Sequence, residues 1–192
     1  MASPAYFGDD IPLDSILIEV RVRNLQNIFD SLDPSPFIAL DLDDDAHQYI
    51  VASANELNTR LPLALAVHVS DPPVSAAEAQ DAGEAIREHF TRQSGFASVR
   101  LSQLIRTGLI SLAIGLTFLS LALTTSAALA KWAETYRTVS IFREGLLICG
   151  WVAMWRPIQI FLYDWWPILG ERRTFDRLSH MPVQIVCDGK PA

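Results

Sequence analysis

The feature that most constrains this chain is an uninterrupted apolar stretch over residues 107–130. It is 24 residues long, contains no charged side chain, and lies between Arg106 and Lys131. An α-helix rises about 1.5 Å per residue, so about 20 apolar residues cross a hydrocarbon core of about 30 Å. A buried helix in a soluble domain rarely needs such length. The stretch therefore predicts a transmembrane helix.

A second apolar stretch follows after a short loop and predicts a second span over residues 139–162. Arg143, Glu144 and Arg156 interrupt it. Two spans return the chain to the side of the membrane on which it started. Basic residues precede the first span and follow the second, which favours a cytoplasmic location for both termini under the positive-inside rule. These residues are Arg87, Arg92, Arg100 and Arg106 before the first span, and Arg172, Arg173 and Arg177 after the second.

The charge of the chain is unevenly distributed. Residues 1–106 hold 16 Asp and Glu against 7 Lys and Arg, whereas residues 107–192 hold 6 against 8. Nucleic-acid affinity depends on cations that neutralise phosphates, so the acidic part argues against a nucleic-acid partner. The same acidity disfavours binding along an anionic lipid surface. The partners that remain are the lipid bilayer and other proteins.

The N-terminus and the cysteines indicate a reducing compartment. The opening MASPAYFGDD lacks the basic flank and apolar core of a secretory signal, so the soluble part is expected to stay in the cytoplasm. Cys149 and Cys187 are too few for a disulfide framework and are predicted to be two reduced thiols.

A run rich in β-branched residues predicts a strand over residues 16–22, and the apolar run over residues 63–69 predicts a second. Two strands make a poor sheet alone. Residues 183–187 predict a third strand that returns to the N-terminal domain, and an open strand edge can also be covered by a neighbouring subunit. The predicted fold class is α+β. It comprises a small cytosolic α/β domain of two or three strands over residues 1–100, a two-helix transmembrane hairpin over 101–168, and a cytosolic tail over 169–192.

Helical spacing is found between and after these strands. Helices are predicted over residues 24–33 and 43–57, with Tyr49 and Ile50 on the buried face of the second. Ser75 and Glu78 have the spacing of a capping box. The helix that they open carries one apolar stripe and is expected to break at residues 93–95. The stripe consists of Ala79, Ala82, Ile86 and Phe90.

The run EGLLICGWVAMWRPIQIFLYDWWP occupies residues 144–167 and is followed by basic residues and the ending MPVQIV. It resembles the C-terminal part of a family of small, uncharacterised bacterial inner-membrane proteins. The resemblance extends to IEVRVRNLQNIFDSLDPSPF near the start of the chain. It implies a bacterial cytoplasmic-membrane protein with an N-terminal soluble domain, and it brings no activity, cofactor or catalytic residue with it.

Arg156 is the most informative single residue, because a charge inside a span is by default a functional candidate. Its possible partners are Asp164, Glu144 and Gln159. Asp164 lies eight residues on, so ordinary helical spacing does not assure a pair within one helix. The alternative is that Arg156 extends to the headgroups or makes a purely structural pair. Pro157, next to it, frees a backbone carbonyl one turn earlier.

Small residues recur at helical spacing in both predicted spans and let helices approach closely. They are Gly108, Ser111, Gly115 and Ala122 in the first span, and Gly145, Cys149 and Ala153 in the second. The contact is expected either between the two spans or between subunits, and chance is the alternative. Aromatic residues suit the two interfaces of a bilayer. These are Trp132 and Tyr136 at the outer edge, and Tyr163, Trp165 and Trp166 at the inner edge.

Metal, cofactor and catalytic patterns are weak in this sequence. Counted from Asp41, an EF-hand loop would need glycine and glutamate where Ala46 and Ala52 stand, so no metal site is predicted. None of the four histidines lies in a predicted span, which disfavours a haem ligated in the bilayer. No common catalytic motif is present, so no cofactor is predicted and an enzyme is disfavoured.

These patterns favour a non-enzymatic inner-membrane protein that serves as an oligomeric scaffold or as an accessory subunit of a larger membrane assembly. Two helices alone enclose no pore, and association would give partners to Arg156 and to the small residues. One alternative is an oligomeric channel or transporter lined by the second span, with Arg156 favouring anions. Another is an enzyme with an unrecognised cytosolic site, whose first sign would be a polar cleft near Asp41 and His47.

Overall fold

A computed structural model describes residues 5–30, 41–57, 61–70, 75–133 and 135–187. The protein is α+β, mostly helical, with one small sheet. It divides into two compact units, the first made of residues 1–96 and 170–192 and the second of residues 97–169. The chain therefore leaves the first unit, builds the second, and returns to complete the first.

The sheet of the first unit has four strands in the order β1-β4-β3-β2. Strand β4 lies in the interior of the sheet, parallel to β3 and antiparallel to β1, and β2 is parallel to β3. The strands are β1 (Ala5–Gly8), β2 (Ile16–Val22), β3 (Leu63–Val69) and β4 (Val183–Cys187). The strand predicted at residues 183–187 therefore joins the sheet of the N-terminal domain.

The prediction of two or three strands was wrong by one, because it missed β1. Its sequence, AYFG, is too short to show alternation. The strand ends at Gly8, whose φ of 92° lies in the left-handed region that favours glycine. A Cβ added there would lie 2.6 Å from the carbonyl oxygen of Val183 in β4. Glycine thus permits the close contact that holds β1 against β4.

The described residues also form four α-helices. They are α1 (Asp44–Glu56), α2 (Ala76–Ala133), α3 (Arg137–Gln159) and α4 (Trp165–Ser179). A 3-10 helix, Leu25–Ile28, follows β2, and a π-helical turn, Ile160–Asp164, connects α3 to α4. The predicted capping box is confirmed: Ser75 Oγ accepts from Glu78 N–H, and a Glu78 carboxylate oxygen accepts from Ser75 N–H, both at 3.2 Å.

The core of the first unit lies between the strands and one face each of α1, the N-terminal part of α2, and α4. Every residue of β3 except His68 is buried, as expected for a central parallel strand. The predicted stripe of α2 is fully buried, and α4 adds Phe175 and Leu178. On α1, Ile50 is buried but Tyr49 is 55% exposed, so its predicted burial was wrong. Ile50 and Ala54 define the buried stripe, and Tyr49 points about 100° away from it.

Two helix boundaries also differ from the prediction. The helix expected over residues 24–33 is only the 3-10 helix, because Phe29 is extended and forms a β-bridge with Leu42; residues 31–33 lie outside the described part. The break expected at residues 93–95 is absent, since α2 continues through it. One glycine costs a helix only about 1 kcal/mol, and Gly95 meets no atom within 4 Å of an added Cβ.

Among the described residues, two helices, Ala76–Trp132 and Arg137–Ser179, are long and apolar enough to cross a membrane, and only 17% of the most apolar window of each is buried. Residues 76–96 and 170–179 of these helices belong to the first unit, and the remainder belongs to the second unit. The large apolar side chains of this unit are therefore mainly on its outside. Examples are Leu109, Ile114, Phe118, Ile148, Trp151 and Trp155.

Candidate functional site

Arg156 and Asp164 form an ion pair in the second unit. The Arg156 Nη1 atom donates to Asp164 Oδ2 at 3.2 Å. The Asp164 side chain is about one quarter exposed, whereas that of Arg156 is 57% exposed. The guanidinium therefore retains an open side while one of its N–H groups is bonded to the carboxylate.

The π-helical turn explains how residues eight apart can meet. In a regular α-helix, eight residues rotate the side-chain direction by about 800°, which leaves it about 80° from the starting direction. A π turn adds about one residue to a single turn. Asp164 then has about the direction that the seventh residue after Arg156 would have in a regular helix, which is about 20° from the direction of Arg156. Pro157 lies just before this turn and cannot donate a backbone hydrogen bond, which favours the local irregularity.

The other predicted polar partners do not join this pair. Glu144 and Gln159 are exposed on α3, and neither has a hydrogen bond to Arg156 among the residues that the structure describes. The predicted interface aromatics Trp132, Tyr163 and Trp166 are exposed as well. Trp165 is half-buried; its Nε1–H donates to the Phe161 carbonyl at 2.9 Å, and its ring lies 4.9 Å from that of Trp166.

Small residues bring α2 and α3 into contact inside the second unit. A Cβ added to Gly115 would lie 3.0 Å from the backbone oxygen of Ala153, and one added to Gly108 would lie 2.8 Å from Ile160. The facing glycine on α3 is Gly150, which sequence analysis did not single out; its added Cβ would meet Leu119 at 3.0 Å. No atom lies within 4 Å of the Cβ position of Gly145, so its predicted role in packing stays a prediction for contacts between subunits.

An apolar groove of about 540 Å³ runs along the same two helices. Its walls include Ser111 and Gly115 from α2 and Cys149 and Ala153 from α3, with Arg156 at the polar part of its lining. Cys149 is exposed and its thiol is free. The predicted small residues thus line a cleft in the outer surface of this unit as well as the contact between its helices.

A chain of polar side chains around the buried His89 in the first unit was not predicted. Arg92 Nη2 donates to Asp41 Oδ1 at 2.6 Å, and the same oxygen lies 3.0 Å from His89 Nδ1. His89 Nε2 lies 2.9 Å from His47 Nδ1. We call these four residues the histidine relay. His89 is only 4% exposed, and the His47 ring packs against Phe90 and Phe175, so the relay links α1, α2 and α4.

The hydrogen positions of the relay follow from its shortest contacts. A carboxylate only accepts, so His89 Nδ1 carries a proton and donates to Asp41, and His89 Nε2 accepts from His47 Nδ1–H. The contact of 3.4 Å from Leu42 N–H to His89 Nδ1 competes for the same atom and is the weaker of the two. This arrangement holds when both rings are neutral, and each ring then has a defined tautomer.

Burial and charge set the ionisation of the relay. Desolvation lowers the pKa of His89, against the opposing effect of its hydrogen bond to Asp41. Desolvation also lowers the pKa of His47, with Asp44 and Asp41 acting in the opposite direction. The hydrogen bond from Arg92 lowers the pKa of Asp41. The relay therefore favours neutral imidazoles beside an ionised carboxylate.

In the sequence, Asp41 is the first position of a rejected EF-hand pattern, and Asp41 and His47 mark where a polar cleft would be the first sign of an enzyme. What lies there is a set of hydrogen bonds that joins α1, α2 and the segment before α1, with Phe175 of α4 packed against the His47 ring. Asp41 and His89 are 48 positions apart in the sequence, so no local spacing could have paired them. The single available signal was that His89 adjoins Phe90 at the edge of the buried stripe of α2.

A second ion pair fixes the beginning of the chain. Arg87 Nη1 donates to Asp9 Oδ2 at 2.6 Å, and the same carboxylate oxygen accepts from Val183 N–H at 3.1 Å. Asp9 thereby joins β1, β4 and α2. A polar pocket of about 480 Å³ opens beside the pair and is also lined by Gln80 and Glu84. The pocket is lined by two carboxylates, those of Asp9 and Glu84, and by one guanidinium, that of Arg87, so it has no strong preference for an anion.

The part of the chain that the structure describes contains no group of three or more His, Cys, Asp or Glu side chains placed to hold a metal ion. Comparison of the chain with protein-family models, curated proteins and solved structures finds no match. Function must therefore be argued from the geometry described above.

Proposed function

We propose that this protein is a two-span bacterial inner-membrane protein that acts as an oligomeric scaffold or as an accessory subunit of a membrane assembly. The observation that carries the proposal is the exposed apolar surface of α2 and α3. Only 17% of the most apolar window of each is buried, whereas the core helix of a soluble domain is mostly buried. Lipid and neighbouring helices are the surroundings that would cover such a surface.

The sheet of the first unit supports an even number of membrane crossings. Strands β1, β2 and β3 precede the apolar helices in the chain, β4 follows them, and all four hydrogen-bond in one sheet. Strands on opposite sides of a bilayer could not pair in this way. Together with the arginines that precede the first span and follow the second, the sheet supports a cytoplasmic location for both termini.

The contacts within the second unit support a structural role for its polar residues. Arg156 already has a carboxylate partner, Asp164, in the same chain. The groove beside Gly115 and Ala153 is apolar, as a surface for another helix would be. A subunit with an internally paired charge and an open groove of small residues suits an assembly that grows by helix packing.

The mass of the intact protein in the membrane tests the scaffold proposal. The full-length chain would be extracted from native membranes in a lipid-preserving polymer, and its mass measured together with that of co-purifying chains. We expect a multiple of 21.3 kDa or a larger stoichiometric complex. A species of 21.3 kDa alone would overturn the proposal.

A channel lined by α3 is the second candidate, and the exposure of Arg156 beside the groove favours it. An oligomer with water-facing guanidinium groups would pass anions. Anion flux into liposomes containing the purified protein would support the channel if Arg156→Ala abolished the flux and left the oligomer intact. That result would also contradict the scaffold role.

A further inference from the structure

Among the residues that the structure describes, strand β2 is at the edge of the sheet of the first unit. The strand order β1-β4-β3-β2 leaves β2 with one neighbour, β3, among the described residues. At seven residues β2 is longer than β1, the four-residue strand at the other edge. An uncovered edge presents unpaired N–H and C=O groups that can hydrogen-bond to another chain.

The register of β2 against β3 identifies which residues carry these free groups. Ile16 N–H donates to the Pro62 carbonyl at 2.8 Å, and the Val22 carbonyl accepts from Ser70 N–H at 3.3 Å. In a parallel ladder a strand directs the backbone groups of alternate residues to the same neighbour. Even-numbered residues of β2 therefore bond to β3. The odd-numbered residues, Leu17, Glu19 and Arg21, direct their backbone groups away from the sheet.

Space for another strand lies along this edge. The side chains of Leu17, Glu19 and Arg21 are exposed, and Leu17 is 42% exposed despite being apolar. A groove of about 420 Å³ is lined by Glu19, Val20 and Arg21 together with Tyr49 of α1. The edge therefore places outward-directed backbone groups, two opposite charges and an exposed aromatic ring along one groove.

We propose that β2 pairs antiparallel with β2 of a second copy of this chain, with Val20 of the two copies directly opposite each other on a twofold axis. In this register Glu19 faces the partner's Arg21, and Arg21 faces the partner's Glu19. All four are residues with outward backbone groups, so the two pairs form four hydrogen bonds between the chains. Opposite charges directly across a strand pair stabilise it.

Charge selects this register over its nearest alternative. A twofold axis through Glu19 would also match outward-directed residues, but it would place the two Glu19 carboxylates directly opposite each other. The proposed register avoids that repulsion and gives each charge a partner of opposite sign. The product is one continuous eight-stranded sheet, and the contact is isologous, as twofold dimers require. The purpose assigned to this contact, self-association of a scaffold, rests on the function proposed above.

A disulfide across the axis tests the pairing directly. Val20→Cys would be made in the full-length chain carrying Cys149→Ser, because Cys149 is exposed and Cys187 is buried. Opposed non-hydrogen-bonded residues have Cα atoms about 4.5 Å apart, within reach of a disulfide. We expect a cross-linked dimer under mild oxidation in lipid nanodiscs. Leu17→Cys is the matched control, since the two Cα atoms at position 17 would be about 20 Å apart.

Charge reversal at two exposed positions provides the second test. In a dimer of Glu19→Arg, an arginine at position 19 of each copy faces Arg21 of the other copy. In a dimer of Arg21→Glu, Glu19 of each copy faces a glutamate at position 21 of the other copy. Each variant, in the Val20→Cys background, should cross-link at least several-fold less than the parent. A mixture of the two should regain cross-linking as a heterodimer, because each Arg then faces a Glu.

The outcomes separate this pairing from the scaffold proposal. Cross-linking of Val20→Cys no stronger than that of Leu17→Cys overturns the strand pairing, as does a yield that charge reversal leaves unchanged. If the intact mass is still a multiple of 21.3 kDa, the scaffold proposal stands without this contact. A chain of 21.3 kDa alone in nanodiscs overturns both proposals.

Discussion

His47 and His89 make the folding of the first unit sensitive to acid. Burial lowers the pKa of both imidazoles below the ordinary value of 6.5. The unfolded chain therefore binds protons at a higher pH than the folded chain does. The stability that the neutral pair contributes is fully present above pH 6.5 and is lost as the pH falls from there through the folded-state pKa values. Asp41, whose pKa is also lowered, adds a loss below about pH 3.8.

We expect the thermal unfolding temperature of the first unit to decrease when the pH is lowered from 7 to 5, as followed by circular dichroism at constant ionic strength. His47→Gln keeps a donor for His89 Nε2 and removes one titrating ring, so it should make the fall smaller. His180→Gln replaces a histidine outside the relay and is the control for the substitution itself. A midpoint that rises towards pH 5 would contradict the assignment of neutral rings.

Gly8 is a second residue at which one atom decides stability. Its φ of 92° and the distance of 2.6 Å from an added Cβ to the Val183 oxygen both oppose a side chain. We expect Gly8→Ala to lower the free energy of unfolding by about 1–3 kcal/mol. The control is Gly170→Ala in α4, where an added Cβ meets no atom within 4 Å and helix propensity improves. Equal stability of the two variants in chemical denaturation would contradict this account of β1.

Among the elements, the contact between α2 and α3 depends on glycines, which let the two helix backbones approach closely. Gly115→Ile would push a branched side chain towards the Ala153 backbone oxygen, at 3.0 Å from its Cβ. We expect a loss of about 1–3 kcal/mol from overpacking, measured by unfolding in mixed micelles. Gly145→Ile is the matched control on α3, because its Cβ would meet no atom within 4 Å.

Elements with a local signal were readable from the sequence, and those that depend on distant residues were not. Strands β2 and β3 are rich in β-branched or apolar residues, and the capping box fixed the start of α2. Strand β1 has four residues and exists only because β4 pairs with it. The histidine relay joins positions 47 and 89, and the π turn brings Arg156 to Asp164 against ordinary helical phase. Such features arise from packing, which local pattern does not encode.

For the whole molecule, β4 is the strand on which the sheet depends. A chain ending after Met181 would lose β4, and β1 would lose its neighbour. We expect the amide protons of β3 to lose their protection from hydrogen exchange in this truncated protein. A chain ending after Cys187 retains all four strands and should keep the parental protection. Protected β3 amides in the shorter chain would show that β4 is dispensable.

The position of β4 also has a consequence for biosynthesis. Ribosomes deliver the N-terminal strands first, yet the residues that lie between β1 and β3 emerge only after both long apolar helices have been made. The first unit therefore cannot close until both long apolar helices have been made. Until then β1 and β3 each lack the neighbour that β4 provides in the finished sheet.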